Sequence, residues 1–353
     1  MQAMNVLQRP RDREFCGTMQ DYVIDTEVSI TFAVEYGGKR ILDEDYVPDA
    51  DYLVRIRKLG KFCENALWSI WCAGEISWQN SSAGVFSFFI DGVLDVESFV
   101  MYSTLQTTKD AYYPGWLSEV NQKVVHKGCK EYLSGYLMPN NNVRKATVTG
   151  YDINGSDVTK DLFKVPVTEG VSYPVTIDVS LERIMSLFPM IRLQRYIVKS
   201  GDYSFLFHVD SSVYMDKWCF RFKNVYGMPE TVTAMGGLSI NGGNESDAAV
   251  LAGVERKFGL KVTDEYTVNS GVVMLQSDYK LWHNLLNAQE ADILVDGEWL
   301  PIVISKQKYE REFRRSVMSV IEFSFRMADP DQNNLIHVSV SYTHLTLPTK
   351  LEV

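Results

Sequence analysis

The feature that most constrains the fold of this chain is an alternation of apolar and polar side chains with a period of two residues. Residues 28–36 place Val, Ile, Phe, Val and Tyr at every second position, and the same pattern recurs at 218–222 and at 317–325. Successive side chains of a β-strand point to opposite faces, whereas a helix would scatter these aromatics around its circumference. The alternation therefore predicts strands with one face in a core.

Glycine-containing turn pairs separate several of these apolar runs. Asp91-Gly92, Gly201-Asp202 and Asp296-Gly297 each stand between two such runs. Two-residue hairpin turns need positive φ angles, which Gly and Asp adopt more readily than most residues. The three pairs predict three antiparallel hairpins.

Helical patterns are few and short. The clearest covers residues 278–289, with Ser277 at the N-cap position and one apolar stripe made of Leu281, Trp282, Leu285 and Leu286. A second helix is predicted at 181–188, where Pro189 stops it, and a third at 116–125. The chain lacks the repeated strand–helix alternation of a doubly wound α/β protein.

These patterns predict a mainly β protein with two or three antiparallel β-sandwich-like domains and a few short flanking helices. A chain of 353 residues fits that number, at about 150 residues per domain. A turn-rich loop at 137–143 and a softer break at 210–212 suggest the boundaries. The predicted domains are 1–138, 139–212 and 213–336, the last one carrying the helix at 278–289.

The last residues have a different character. Residues 341–350 read SYTHLTLPTK, which resembles the translation of a sequencing-adapter oligonucleotide. The resemblance implies that residues 337–353 are a non-native tail that should be excluded from fold reasoning. His337 and His344 are then expected to have no function.

Charge and hydropathy exclude several classes of partner. The formal net charge is −10, and an acidic chain is poorly suited to a phosphate backbone or to anionic lipid. No run approaches the roughly 18 apolar residues of a membrane span. The first residues are polar and charged, so we expect no signal peptide. Neither nucleic acid nor a membrane is a predicted partner.

No pattern in the sequence announces a catalytic, cofactor or metal site. The Gly/Asn-rich segment 236–247 lacks the Gly-Lys-Ser/Thr ending of a phosphate-binding loop, and the acidic segment 43–51 lacks the central Gly and terminal Glu of a calcium-binding loop. His208 could pair with Asp210 on one strand face, but no nucleophile motif accompanies them. Dispersed carboxylates of a hydrolase remain open as an alternative. The cysteines are odd in number and widely spaced, which predicts buried free thiols at Cys16, Cys63, Cys72, Cys129 and Cys219.

Tryptophans offer a second interpretation. A sugar-binding β-sandwich exposes aromatic rings as stacking platforms, whereas other β proteins bury them in cores and interfaces. The candidates for exposed platforms are Trp68, Trp71, Trp78 and Trp116. They make a carbohydrate-binding or adhesin-like module, with a surface glycan as partner, the alternative function.

The order of features between residues 215 and 335 resembles a family of uncharacterised proteins of prophage-type gene clusters that are associated with virion tails and baseplates. An aromatic strand is followed by Asn-Val-Tyr-Gly-Met-Pro-Glu at 224–230, the Gly/Asn-rich segment, and Asp-Glu-Tyr-Thr-Val-Asn-Ser-Gly at 264–271. A helix, the Asp296-Gly297 hairpin, a last strand and an Asp/Asn-rich end follow. The resemblance covers about a third of the chain and transfers no functional residue.

The resemblance implies a non-enzymatic structural protein of a phage virion, assembled in the host cytoplasm and incorporated into the tail or baseplate. Its expected partners are further copies of itself and other tail proteins, joined by repeated contacts. The Gly/Asn-rich segment and the basic segment 306–315 are the predicted assembly contacts. The candidate interface residues are Gly236, Gly237, Asn241, Asn244, Arg311, Arg314 and Arg315.

Overall fold

The chain is mainly β, as the alternation predicts. A computed structural model describes residues 4–106, 109–140, 143–155, 157–166, 173–262, 264–308 and 320–329. The structure divides into two compact units. The first unit contains residues 1–210 and 223–230, and the second contains 211–222 and 231–353. The predicted tail at 337–353 lies outside the described residues.

The first unit contains seventeen of the described strands, two helices and one turn of 3-10 helix at Cys16–Thr18. The elements are β1 (Asn5–Gln8), β2 (Arg13–Phe15), β3 (Tyr22–Asp25), β4 (Ile30–Tyr36), β5 (Lys39–Tyr46), β6 (Leu53–Ile56), α1 (Leu59–Ala66), β7 (Ile76–Trp78), β8 (Ala83–Ile90), β9 (Val93–Met101), β10 (Gln122–His126), β11 (Tyr132–Gly135), β12 (Pro139–Asn140), β13 (Val143–Asp152), β14 (Asp157–Pro166), β15 (Val175–Asp178), α2 (Leu181–Leu187), β16 (Leu193–Ser200) and β17 (Tyr203–Asp210).

Two sheets of this unit share one apolar core. The sheet β1-β3-β6 and the sheet β2-β9-β8-β4-β5 contribute the aromatic rings of Tyr22, Phe32 and Phe88 to it. The Tyr22 and Phe32 rings meet edge to face at 4.9 Å between centroids. Alternate residues of β3, β4, β6 and β8 enter the core, which is the arrangement of a β-sandwich.

A second core of the first unit lies among the remaining sheets and α2. The strands β10-β17-β16-β13-β12, with β14 beside β13, and the strands β11-β15-β7 contribute to it. Leu133 and Leu137 share this core with Val148 and Tyr196. Residues from both sides of position 138 therefore pack together. The predicted division of residues 1–212 at this position stays a prediction.

The second unit is built on one large antiparallel sheet. Its strands β18 (Trp218–Lys223) and β19 (Pro229–Ala234) are joined by the segment that belongs to the first unit. The other elements are β20 (Leu238–Asn241), β21 (Asn244–Leu251), β22 (Val254–Val262), β23 (Glu265–Asn269), α3 (Asp278–Leu286), β24 (Ala291–Val295), β25 (Glu298–Lys308) and β26 (Glu322–Met327). Seven strands follow the order β19-β18-β24-β25-β26-β23-β20, while β21 and β22 form a sheet of their own.

Aromatic side chains form the core of this large sheet. Phe220 of β18 lies 5.3 Å from Phe323 of β26 between ring centroids, and Tyr266 stacks on Phe325 at the same distance. Trp282 of α3 covers Phe323 at 6.1 Å. The strands predicted at 218–222 and in the described part of 317–325 are confirmed, and Phe220, Phe222, Phe323 and Phe325 are all buried. Cys219 and Arg221 between the aromatic residues of β18 are also buried.

All three predicted hairpin turns are confirmed. Asp91 and Gly92 have φ angles of 48° and 76°, and Asp296 and Gly297 have 49° and 87°. Gly201 supplies the positive φ of the third turn. The flanking residues pair directly across each turn, for example Ile90 with Val93 and Val295 with Glu298.

Two of the three predicted helices are confirmed and one is wrong. The structure has α2 and α3 where they were predicted, although α3 ends at Leu286. Ser277 holds the N-cap position of α3, but its side chain makes no capping hydrogen bond within the described chain. Residues 116–125 contain no α-helix: Trp116 forms an isolated bridge with Gly135, and β10 begins at Gln122. Pairing with β17 outweighs the local helical pattern there. The sequence patterns missed α1.

Candidate assembly surface

The structure extends a long two-stranded ribbon from the second unit. This ribbon, formed by β21 and β22 at residues 244–262, is called the arm below. Its strands pair antiparallel from Asn244 opposite Val262 to Leu251 opposite Val254, with one irregularity near Glu245. The turn consists of Ala252 and Gly253 with φ angles of 52° and 78°. Both values belong to the left-handed region that a tight hairpin turn requires.

The arm exposes an apolar face. Every side chain from residue 245 to residue 258 is exposed, and Leu251, Val254 and Phe258 are 64%, 55% and 53% exposed. Leu251 lies opposite Val254, and Phe258 lies opposite Asp247. Because residues two apart along a strand share a face, these three side chains and Ala249 lie on the same side of the ribbon. The same side also carries Arg256, opposite Ala249, and Asp247, so one charge of each sign lies among the apolar residues. Several large exposed apolar side chains on one face typically mark an interaction site.

At the base of the arm, Gly243 donates its N–H to Asp264 Oδ1 at 3.3 Å. At the opposite end of β20, Gly236 donates its N–H to the carbonyl of Asn269 at 3.1 Å. A Cβ atom at Gly236 would lie 2.6 Å from the Asn269 carbonyl oxygen. Glycine at position 236 therefore allows the chain to approach β23, which is a structural role.

The predicted interface residues fall in different places. Gly237 and Asn241 are exposed, the latter at the end of β20. Asn244 is the first residue of the arm. Most of the segment 236–247 is thus strand rather than loop. The other candidates, Arg311, Arg314 and Arg315, lie outside the described residues, and the set as a whole stays a prediction.

The sequence patterns do not predict the arm. Its turn has Ala at the first position, a residue that seldom takes a positive φ. Its strands carry charged residues at positions where alternation would place apolar ones, such as Arg256. Because of both features, the sequence pattern does not indicate a hairpin here. The signal that could have predicted it is Gly253, which lies between a strand of eight residues and a strand of nine.

Near the arm's base, one end of the basic segment is described. Lys306 of β25 lies 2.7 Å from Glu265 Oε2, and Ser305 donates to Glu265 Oε1 at 2.7 Å. These hydrogen bonds hold the pKa of Glu265 below its usual value. Lys306 is therefore engaged in a pair on the surface of the large sheet.

The tryptophan platforms are only partly exposed. Trp116 is buried in the second core of the first unit. Trp71 lies under the Lys223 ammonium, whose Nζ is 4.1 Å from the ring centroid. Trp68 is 59% exposed, and Trp78 is exposed beside Phe163, with 6.2 Å between their centroids. Two rings of the four thus face solvent over a substantial part of their surface.

The first unit also buries several charged groups. Lys123 pairs with Glu131 in the interior. Glu230 accepts hydrogen bonds from Ser118 at 2.5 Å and from Asn224 at 3.0 Å, while burial raises its pKa. Each of these groups has a hydrogen-bonded partner inside the fold, which is the arrangement that makes a buried charge tolerable.

The structure places a different histidine beside Asp210 from the one that the sequence suggested. His208 lies opposite Val124 and approaches Gln122, with 3.2 Å between His208 Nε2 and the Gln122 Oε1. Asp210 lies opposite His126 instead, at 3.5 Å from its Nδ1. The parallel pairing of β10 with β17 produces this arrangement, and single-strand reasoning could not foresee it.

All five cysteines are free and buried, as predicted. Burial raises the pKa of the Cys16 thiol to about 12. In the described ranges, no group of three or more His, Cys, Asp and Glu side chains could hold a metal ion. None of the described helices is long and apolar enough to cross a membrane.

No protein-family model matches the chain, and no curated protein matches it.

Proposed function

We propose that this chain is a non-enzymatic structural subunit of a phage-type virion tail or baseplate, which self-assembles in the host cytoplasm. The observation that carries the proposal is the apolar face of the arm, with Leu251, Val254 and Phe258 exposed together. A subunit that binds its neighbours through a projecting ribbon needs such a face. A monomer gains nothing from it.

The energetics favour burial of this face. Removing apolar surface from water contributes about 25 cal/mol for each Å² that is buried. A ribbon with unpaired edges is also prone to strand addition, so soluble monomers usually shorten, charge or cover their edges. The arm keeps an extended ribbon with three large apolar side chains near its tip. Association with another subunit would bury these apolar side chains and pair the free strand edges.

The assignment to a tail or baseplate rests on the resemblance in feature order over residues 215–335. The arm lies inside this range, between the aromatic strand β18 and helix α3. Repeated contacts between identical subunits, or between the chain and other tail proteins, would complete the surface. The resemblance supports the proposal that the particle is a virion tail or baseplate, and the exposed arm supports the proposal that the chain assembles with other subunits.

The test is the solution mass of the chain measured by light scattering over a range of concentrations. We expect multimers for the natural sequence and a monomer for the double variant Leu251→Ser, Phe258→Ser. The matched control is Val93→Ser, Leu94→Ser, since these two residues are exposed at the β8–β9 turn of the first unit. It should assemble normally. A natural chain that stays monomeric, or equal behaviour of both double variants, would contradict self-assembly.

Electron microscopy of the multimers tests whether they have the form of a tail component. Rings or tubes of constant diameter are expected for a tail component. Mass spectrometry of tail particles purified from a host that carries the gene should then detect the chain at a repeated copy number. Amorphous multimers, together with tail particles that lack the chain, would count against a virion role.

A second candidate function is favoured by Trp68 and Trp78, whose exposed rings could stack on sugars. In that function the chain is a carbohydrate-binding or adhesin-like module whose partner is a surface glycan. A glycan array with the natural chain and with Trp68→Ala, Trp78→Ala tests it. Tyr112→Ala, Tyr113→Ala is the control, because both tyrosines are exposed elsewhere. Binding that only the tryptophan variant loses would support this function.

A further inference from the structure

The two strands of the arm carry opposite charge. β21 contains Glu245 and Asp247 and no basic residue, whereas β22 contains three basic residues and one acidic residue. Arg256 and Lys257 are adjacent on β22 and exposed. In a two-stranded sheet each strand is also an edge. The arm therefore has one acidic edge and one basic edge.

Both edges are available for strand addition. Within the described ranges the sheet of the arm contains two strands, so one side of each strand presents backbone groups outside the ladder. Such a side is a template for a further strand. Side chains from residue 245 to residue 258 are exposed on both faces, so no part of the described fold covers them.

We propose that the arms of successive copies join edge to edge, with β21 of one copy adding antiparallel to β22 of the next. This inference rests on the proposed function, because it specifies how the subunits assemble. β21 and β22 run in opposite directions, so stacking arms in the same orientation continues an antiparallel sheet without interruption. The contact joins two different surfaces, and it therefore propagates into a ring or a filament rather than closing a dimer.

Charge selects this arrangement over its alternatives. Pairing β21 with the β21 of another copy would bring Asp247 and Glu245 close to the same acidic residues, and pairing two β22 strands would oppose basic residues. Like charges across a sheet are unfavourable, and opposite charges contribute roughly 0.2–1 kcal/mol for each pair. The mixed pairing is the one in which acidic and basic residues meet.

The apolar face fits the same arrangement. Asp247 and Arg256 lie on the face that carries Leu251, Val254 and Phe258, because all are separated by even numbers of residues or paired directly. A displacement of two residues between neighbouring arms pairs Asp247 with Arg256 and keeps the side chains on their original face. The apolar side chains of successive copies would then lie on one face of the joined sheet, on either side of the Asp247–Arg256 pairs.

Charge reversal tests the pairing. The acidic-edge variant is Glu245→Lys, Asp247→Lys, and the basic-edge variant is Arg256→Glu, Lys257→Glu. We expect each variant alone to need at least about a tenfold higher concentration for half-assembly than the natural chain. An equimolar mixture should recover assembly, because each edge of one variant then meets an opposite edge of the other. Light scattering measures all three samples.

Matched controls remove the effect of net charge. Glu27→Lys, Asp51→Lys and Lys39→Glu, Arg57→Glu make the same changes in charge at exposed positions of the first unit. Both controls should assemble as the natural chain does. Assembly of the natural chain should also weaken as salt rises from about 0.05 to about 0.5 M, since exposed charges are screened.

Each other outcome has a defined meaning. Loss of assembly in only one edge variant would show that only one of the two edges takes part in the contact and would overturn the inference. No effect of either edge variant, with assembly still lost in Leu251→Ser, Phe258→Ser, would also overturn it but leave the proposed function intact. A natural chain that is monomeric at every concentration would overturn both, and would assign the arm to a different partner protein.

Discussion

Two hairpins of this molecule share a local structure and differ in what surrounds them. The hairpin β8–β9 turns at Asp91 and Gly92 with φ angles of 48° and 76°, and the arm turns at Ala252 and Gly253 with 52° and 78°. Both have strands of eight and nine residues. In β8–β9, the outer sides pair with β4 and β2. The arm contains only its own two strands among the described sheets.

The surroundings decide what the apolar residues contribute. Phe86, Phe88 and Ile90 of β8 are buried in the first core, whereas Leu251, Val254 and Phe258 of the arm are exposed. The comparison teaches that turn and strand chemistry are sufficient to form a hairpin. Whether the hairpin stabilises the fold depends on the neighbours that its two edges and two faces find.

The largest expected difference in stability is between two side-chain truncations, one in each hairpin. Phe88→Ala should lower the free energy of unfolding by about 3–5 kcal/mol, because the ring is fully buried beside Tyr22 and Phe32. Phe258→Ala should change it by no more than about 0.5 kcal/mol in dilute solution, since its ring is exposed. Urea denaturation followed by tryptophan fluorescence measures both. Equal losses would break the comparison.

A smaller effect is expected from the turns. Gly92→Val and Gly253→Val should each cost about 1–3 kcal/mol locally, because a β-branched residue resists φ angles of 76° and 78°. Open space surrounds both glycines, so a clash does not contribute. The first variant should lower the Tm of the protein. The second should leave the Tm unchanged and speed amide hydrogen exchange only in the arm.

The opposite result would be informative. If Gly253→Val lowered the Tm as much as Gly92→Val does, the arm would belong to the cooperative part of the fold. The contrast between a closed hairpin and a projecting one would then be lost. Exchange rates of the β23 and β24 amides serve as the internal control, because neither strand pairs with the arm in the described sheets.

The smallest effect concerns an exposed ion pair near the base of the arm. Hydrogen bonds from Lys306 and Ser305 lower the pKa of Glu265, so the ionised form is favoured in the folded state. Its contribution to stability is present above the carboxyl pKa of the unfolded chain, about 4.3, and is lost as the pH falls through the lower folded value. Glu265→Gln should reduce the Tm slightly at pH 7 and leave it equal to that of the natural chain in acid.

A conservative change elsewhere on the sheet controls for this measurement. Glu298 is exposed on the same strand as Lys306, and Glu298→Gln should leave the pH dependence of the Tm unchanged. A difference for Glu265→Gln that persisted or grew at low pH would contradict the sign of the pKa shift. Thermal melts followed by circular dichroism at several pH values distinguish these results.

Much of the fold could be predicted from local chemistry, and the candidate site could not. The turn at Asp296-Gly297 is predictable because Asp and Gly tolerate positive φ, and α3 is predictable because Leu281 and Trp282 are each followed four residues later by a Leu. Residues 116–125 were predicted as a helix because pairing with a distant strand leaves no local trace. The arm was not predicted because its apolar residues are exposed rather than packed in a core. Its strands therefore lack the regular alternation of apolar and polar residues on which the strand prediction depends.

The sequence by itself determined the β class, three hairpin turns, two helices and the burial of the cysteine thiols. These features depend on side-chain periodicity and on φ preferences that act over a few residues. Only the tertiary structure decided that His126 rather than His208 lies beside Asp210, and that β8–β9 is enclosed while the arm remains open. Partners of a strand edge come from residues far along the chain, and their identity is settled by packing, which no local pattern records.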